Sequence, residues 1–457
     1  MIDQLGLLRS GSLAPARSRG GERLRRAGLT GATSMLSQGL VIATGFISVP
    51  LTVNYLGQGQ YGVWLTLNSL LNWLAISDLG LSRALFNGLA EASGREDQAL
   101  AQELVSTAFW GLIGIAAVLT LIFAVGFSLV PWPVVFNAQS TVSSSELHWA
   151  VTLSFAGFVL MFPASIVDIV YQSHQRGYIG QLWGMAGSVL SLAALIGVTR
   201  VRGGLPLLVC ALSGTRILVT LVNLVYLFGR QYPWLLPVPG AATRRSFRQL
   251  TSLGSKYLVA QLAGIGMFQS QPIIIAQVLG PTQLGIFNIA QRLLTLPLVV
   301  VQIFVTPLAS AYSEAYVRQD WPWIHGTLKR SLIISAIVTA CMGAGLTFLT
   351  ERIVSIWVGP AMVPSRSLVL ALSLYVLIAG IVTPASVMLY GLRRVGAQAS
   401  LAAINALVTV VLGTWLTHLW GLPGMAVAMA VALAAVNPLA QVLQIRSVSR
   451  VQKDKRG

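Results

Sequence analysis

The chain has 457 residues, of which 55% are hydrophobic and 9% charged, against about 25% charged in an average soluble domain. So few charges cannot cover a water-soluble body of this length, although they suffice for the ends of hydrophobic helices. The net charge of +17 comes from short basic clusters between apolar runs, which argues against a nucleic-acid surface and fits loops facing an anionic leaflet.

Residues 1–28 are rich in Arg, Gly, Ser and Ala without a hydrophobic pattern, and they predict a disordered, basic cytoplasmic arm. Six long apolar runs follow. They predict spanning helices at Leu29–Tyr55, Tyr61–Leu79, Leu104–Val130, His148–Val170, Ile179–Val198 and Leu205–Phe228, an N-terminal bundle over 29–228. A basic linker, residues 229–256 with Pro233, Pro237 and Pro239, is the expected tether between two rigid halves. Six more helices are predicted at Tyr257–Leu279, Leu284–Tyr312, Ser331–Thr350, Ser367–Tyr390, Ala399–His418 and Gly424–Gln444. These make a C-terminal bundle over 257–446, and a basic tail at 447–457 completes the chain.

The expected fold class is therefore an all-α membrane protein with about twelve transmembrane helices. With both termini cytoplasmic, 24 of the 30 Lys and Arg lie inside. Only Arg200, Arg202, Arg352 and Arg366 lie outside, a bias that sets the orientation. Arg216 and Arg292 fall within predicted helices.

Leu56, Gly57, Gly62 and Trp64 recur as Leu279, Gly280, Gly285 and Phe287, at a constant offset of 223. Tyr171, Gly177 and Leu182 recur as Tyr390, Gly396 and Leu401 at an offset of 219. Each match occupies the same point of a six-helix half, so the halves are expected to descend from a duplication and to share one orientation. A duplicated bundle with a cleft between its halves is the general arrangement of alternating-access transporters.

The stretch Tyr55-Leu56-Gly57-Gln58-Gly59-Gln60-Tyr61-Gly62-Val63-Trp64, followed by Ser77-Asp78-Leu79-Gly80-Leu81, resembles the polysaccharide transporter branch of the multidrug, oligosaccharidyl-lipid and polysaccharide exporter superfamily, the Wzx-type flippases. The resemblance covers about Leu29 to Arg446. It implies a V-shaped pair of bundles in a bacterial inner membrane that moves an undecaprenyl-pyrophosphate-linked sugar unit to the outer leaflet. Glycosyltransferases and a polysaccharide polymerase are its implied functional partners.

Such a cargo needs a polar cavity bearing cations. Arg216 lies near the middle of the sixth predicted helix, beyond easy snorkelling, and guanidinium suits phosphate because its planar donors bind two oxygens at once. Arg292, with Asn288 one turn before it, and Gln269 and Gln271 in the seventh helix are expected to line the opposite wall. Asn68 and Asn72 on the second helix are further candidates, although amides in membrane helices also serve as interhelical glue. Asp78 and Asp168, near the inner ends of helices two and four, are candidates for coupling to a proton or sodium gradient, with plain solvation near the interface as the simpler expectation.

No cofactor is expected, and His148, His174, His325 and His418 are too scattered for a metal site. Cys210 and Cys341, both inside apolar runs, read as small core residues. Glycines and prolines such as Gly45, Pro50, Gly264, Gly266 and Pro272 permit bends and close contacts. Drug export is the nearest alternative, but organic cations call for carboxylates at depth, where this chain has arginines. A membrane glycosyltransferase or ligase would need catalytic groups in a sizeable loop, and the longest outer loop, Pro131–Leu147, has Glu146 as its only acid and no Lys or Arg.

Overall fold

The computed structural model describes residues 16–201, 203–392 and 394–453. Those residues form a nearly all-helical chain, and nine of its helical segments are long and apolar enough to cross a membrane. The first half contains α1 (Ala16–Leu74), α2 (Leu81–Gly94), α3 (Gln98–Gly126), α4 (Trp132–Val135), α5 (Ser144–Ala164), α6 (Ile166–Ser173), α7 (Gly177–Val198) and α8 (Gly204–Tyr226). The second contains α9 (Arg244–Leu279), α10 (Pro281–Leu294), α11 (Leu296–Val305), α12 (Leu308–Val317), α13 (Trp321–Trp357), α14 (Arg366–Gly391), α15 (Val395–Trp420) and α16 (Leu422–Lys453).

The same pairings recur in both halves. Helix α1 packs on α7, α7 on α8, α5 on α8 and α3 on α5; correspondingly α9 packs on α15, α15 on α16, α14 on α16 and α13 on α14. The halves meet where α1 lies against α9 and α10. A buried apolar cluster fills that seam, with Val49, Val53 and Tyr61 from one half and Ile289, Leu293, Val354 and Met362 from the other.

The repeated glycines explain how the halves touch. Gly57 (φ 76°, ψ 170°) breaks α1, and Gly280 (φ 92°, ψ 163°) separates α9 from α10 in nearly the same conformation. Both occupy a region that a side chain disfavours. Five residues further on, a methyl group at Gly62 would overlap the Pro281 carbonyl, and one at Gly285 would press on the Tyr61 ring. The two turns thus cross in contact, each using its glycine to admit the other.

Several expectations change. Helix α1 begins at Ala16, so residues 16–28 of the arm expected to be disordered are helical, while residues 1–15 lie outside the described residues. Residues 16–28 include the good helix formers Ala, Arg, Glu and Leu and run directly into the apolar span. The predicted helix Leu284–Tyr312 is divided among α10, α11 and α12, because Pro297 and Pro307 each remove a backbone donor near a break. Residues 244–256 of the expected tether are helical, and the linker is docked rather than free. Its Val238 N–H donates to Ser106 Oγ (3.1 Å), and Thr243 and Ser246 hydroxyls donate to Glu103 Oε1 (2.5 and 2.6 Å). The loop Pro131–Leu147 is likewise packed, burying Phe136, Ala138 and Val142. Cys210 and Cys341 are exposed on the helix surface and are not core residues.

Candidate functional site

At the end of the molecule that carries Gly57 and Gly280, the halves are latched. Asn137 Nδ2 donates to the carbonyls of Ala276 (3.2 Å) and Gln277 (3.3 Å), and the Gln277 amide returns a hydrogen bond to the Val135 carbonyl. The Trp357 indole donates to the Phe46 carbonyl (2.7 Å) and stacks on its ring. A cavity of about 750 Å³, walled mostly by the second half and bordered by Leu65, Asn68, Ser69 and Asn72 of the first, extends toward Tyr390 and Gln398 at the linker end.

Six of the seven predicted cargo contacts line that cavity: Asn68, Asn72, Gln269, Gln271, Asn288 and Arg292. Arg216 stands apart from it, in a 260 Å³ cavity at the seam that Arg292 and Asn68 also border. Arg292 is therefore the link between the two spaces. It occupies the last turn of α10, whose break at Thr295 is held by the Thr295 N–H and hydroxyl, both donating to the Gln291 carbonyl (2.9 and 2.7 Å). A broken helix at membrane depth is tolerated where it lines a cavity. The Arg292 side chain crosses the seam to Gly45 on α1, where an added methyl would overlap the guanidinium. Gly45 is thus a notch for Arg292.

The amides are only partly committed. Asn288 Oδ1 accepts from the Tyr61 hydroxyl (3.3 Å), Gln271 Oε1 accepts from Gln291 (3.3 Å), and Asn68 donates to the Trp64 carbonyl (2.7 Å). Asn72 and Gln269 make no hydrogen bond within the described residues. Among the described residues, neither the 750 Å³ cavity nor the seam cavity is lined by Asp or Glu.

The two candidate coupling acids part company. Asp78 is buried rather than solvated, and its Oδ1 accepts from the Gly80 N–H (2.9 Å) and from Gln261 Nε2 (3.2 Å). It ties off the left-handed turn at Leu79 and Gly80, a role suited to a short carboxylate. The Ser77–Leu81 motif is therefore a helix break, set against Gly254 of the other half. Asp168, by contrast, lines a 320 Å³ cavity inside the first half together with Arg216, Asn223 and Trp183, and no ion pair joins it to Arg216. Sequence reasoning missed Gly45, Gln302, Gln398, Asn405 and Asn437. Gln398 and Asn405 are two turns apart on one helix of an apolar run, a spacing that marks them in retrospect.

The sequence profile of the family described as "Polysaccharide biosynthesis protein" matches residues 30–313. This chain belongs to that family. A Salmonella typhi member of the wider set of relatives, provisionally named an O-antigen transporter, is 20% identical over 316 residues, covering 68% of this chain and 70% of its own. Among the solved structures that share the fold are two transporters. An inward-facing multidrug resistance MATE transporter of the MOP superfamily superposes with a TM-score of 0.77 at 12% identity, covering 90% of this chain and 95% of its own. The lipid II flippase MurJ in an inward closed conformation superposes with a TM-score of 0.71 at 14% identity, covering 90% and 87%. The chain is accordingly a multi-pass membrane protein of the polysaccharide biosynthesis family, and it has the fold of these two transporters.

Proposed function

We propose that this protein moves a polyprenyl-diphosphate-linked oligosaccharide across the bacterial inner membrane by alternating access, as a step in surface polysaccharide synthesis. The observation that carries the reading is Arg292, which leaves one half, seats in the Gly45 notch of the other and faces Arg216 across a cavity without lining acids. Two guanidinium groups at membrane depth suit a diphosphate, since each binds two oxygens and the low dielectric strengthens the attraction. The acid-free lining also weighs against organic cations as cargo.

Twelve spans, a duplicated origin and cytoplasmic termini belong to the same reading. The linker end is then the cytoplasmic end, toward which the cavity extends as far as Tyr390, and there Gly80 against Gly254 and Gln261 on Asp78 hold the halves in contact, so cargo entry from inside requires these contacts to part. The cargo is supplied by lipid-linked glycosyl transfer on the cytoplasmic side and consumed by polymerisation outside. Of the two acids, Asp168 is the one placed to couple transport to a proton or sodium gradient, because it faces a cavity shared with Arg216 while Asp78 serves a turn.

The test uses cells lacking the protein, with add-back of wild type, Arg216→Ala or Arg292→Ala at equal expression. Lipid-linked sugar is expected to accumulate inside the deletion strain, and only wild type is expected to restore the polymer. An unchanged sugar pool in a strain without a second flippase refutes the reading, and drug efflux is then the next assay.

A further inference from the structure

The cations and the carboxamides of the site are segregated. The seam cavity borders both Arg216 and Arg292 but a single carboxamide, Asn68. Among the described residues, the 750 Å³ cavity has ten carboxamides in its lining, eight of them from the second half, with Arg292 as the only charged one. They include Gln269, Asn288, Gln302, Gln398, Asn405 and Asn437. The side-chain amides of Gln269 and Gln302 form no hydrogen bond within the described residues, so their donors and acceptors are available to a ligand.

We propose that the cargo is bound in two separate compartments, its diphosphate at the arginine seam and an uncharged chain of several sugar rings against the carboxamide wall of the second half. This deepens the flippase reading and rests on it. A carboxamide offers donors and an acceptor together, matching a hydroxyl that is also both, and it carries no charge whose desolvation must be offset. The volume lies in the upper part of the range of about 300–1,000 Å³ for small-molecule sites, so it suits several rings rather than one. Without an acid in the lining, sugars bearing free ammonium groups find no counter-charge and are disfavoured.

Full-length protein, titrated by native mass spectrometry, separates the compartments. The probes are undecaprenyl pyrophosphate and the lipid-linked saccharides extracted from membranes of the same host. Wild type is expected to bind the saccharide-bearing lipids about tenfold more tightly than the bare lipid. The double variant Gln269→Leu, Gln302→Leu is expected to lose that increment while keeping its affinity for undecaprenyl pyrophosphate. Arg292→Gln is expected to weaken both lipids by a similar factor. Asn72→Leu, an exposed residue of the same cavity, supplies an independent variant if the double variant unfolds at a lower temperature. Equal weakening of both lipids by the carboxamide variants, or no preference of wild type for the saccharide-bearing lipids, overturns the division of the site. Wild type that binds neither lipid overturns the flippase reading itself.

Discussion

The two internal matches had different fates. At the first, the matched residues do the same work: Gly57 and Gly280 share one backbone conformation, and Gly62 and Gly285 each admit the other half's turn. At the second, the matched residues differ. Tyr171 is fully buried and donates its hydroxyl to Asn223 Oδ1 (2.9 Å), whereas Tyr390 is 48% exposed and lines the large cavity. Where the halves touch each other, a change in one copy must fit the other, and symmetry is retained. Where a residue faces its own half's interior or a cavity, its match is free to differ.

The sharpest way to break this contrast is Gly62→Val. Its side chain would collide with backbone at Pro281, which cannot swing aside like a side chain, so the cost should exceed the roughly 1–3 kcal/mol of ordinary overpacking. Expression and thermal unfolding in detergent are expected to show largely unfolded protein, and a well-folded variant would deny that the crossing turns are in contact. Next in size is Tyr171→Phe, which leaves the buried Asn223 oxygen without its donor at a cost of about 1–3 kcal/mol. Its counterpart Tyr390→Phe is expected to change stability by less than about 0.5 kcal/mol. Equal shifts in unfolding temperature for the two would restore the symmetry argued against here.

Gly57→Ala tests the turn conformation alone, since no atom lies near its added methyl; the positive φ is expected to cost about 1–2 kcal/mol. A matching value for Gly280→Ala would extend the equivalence of the two copies from geometry to energy. The smallest effect expected is at His174, beside the second match, where burial against Tyr232 and Trp234 pushes its pKa below the ordinary value, reinforced by Arg176. The folded state then binds fewer protons, so its contribution is complete above about pH 6.5 and is lost as the pH falls below that value. His174→Phe is expected to flatten this part of the stability profile, measured as unfolding temperature between pH 5 and 8.

Much of the site was legible because membrane depth is legible. A guanidinium or amide in the middle of an apolar run has few destinations, and Arg216, Arg292, Gln269, Gln271, Asn68, Asn72 and Asn288 all border a cavity. Gly45 was read only as a possible bend, since nothing in its neighbours says that a side chain some 250 positions away will occupy the space above it. Asp78 and Asp168 looked alike in sequence because both lie near a helix end. Their difference is the nearby Gly80 N–H and Gln261 for one and an open cavity for the other.

The sequence by itself determined the hydrophobic helices, the polar residues within them and the two recurring glycine turns. These follow from local rules: apolar length, the cost of charge in hydrocarbon and the backbone freedom of glycine. Only the tertiary structure decided that the linker is docked on α3, that α10 ends where Arg292 crosses the seam, and that Arg216 lines a cavity apart from most of the carboxamides. Those features depend on which helix faces meet across long stretches of chain, and helical periodicity is nearly silent about this where lipid and protein interior are both apolar.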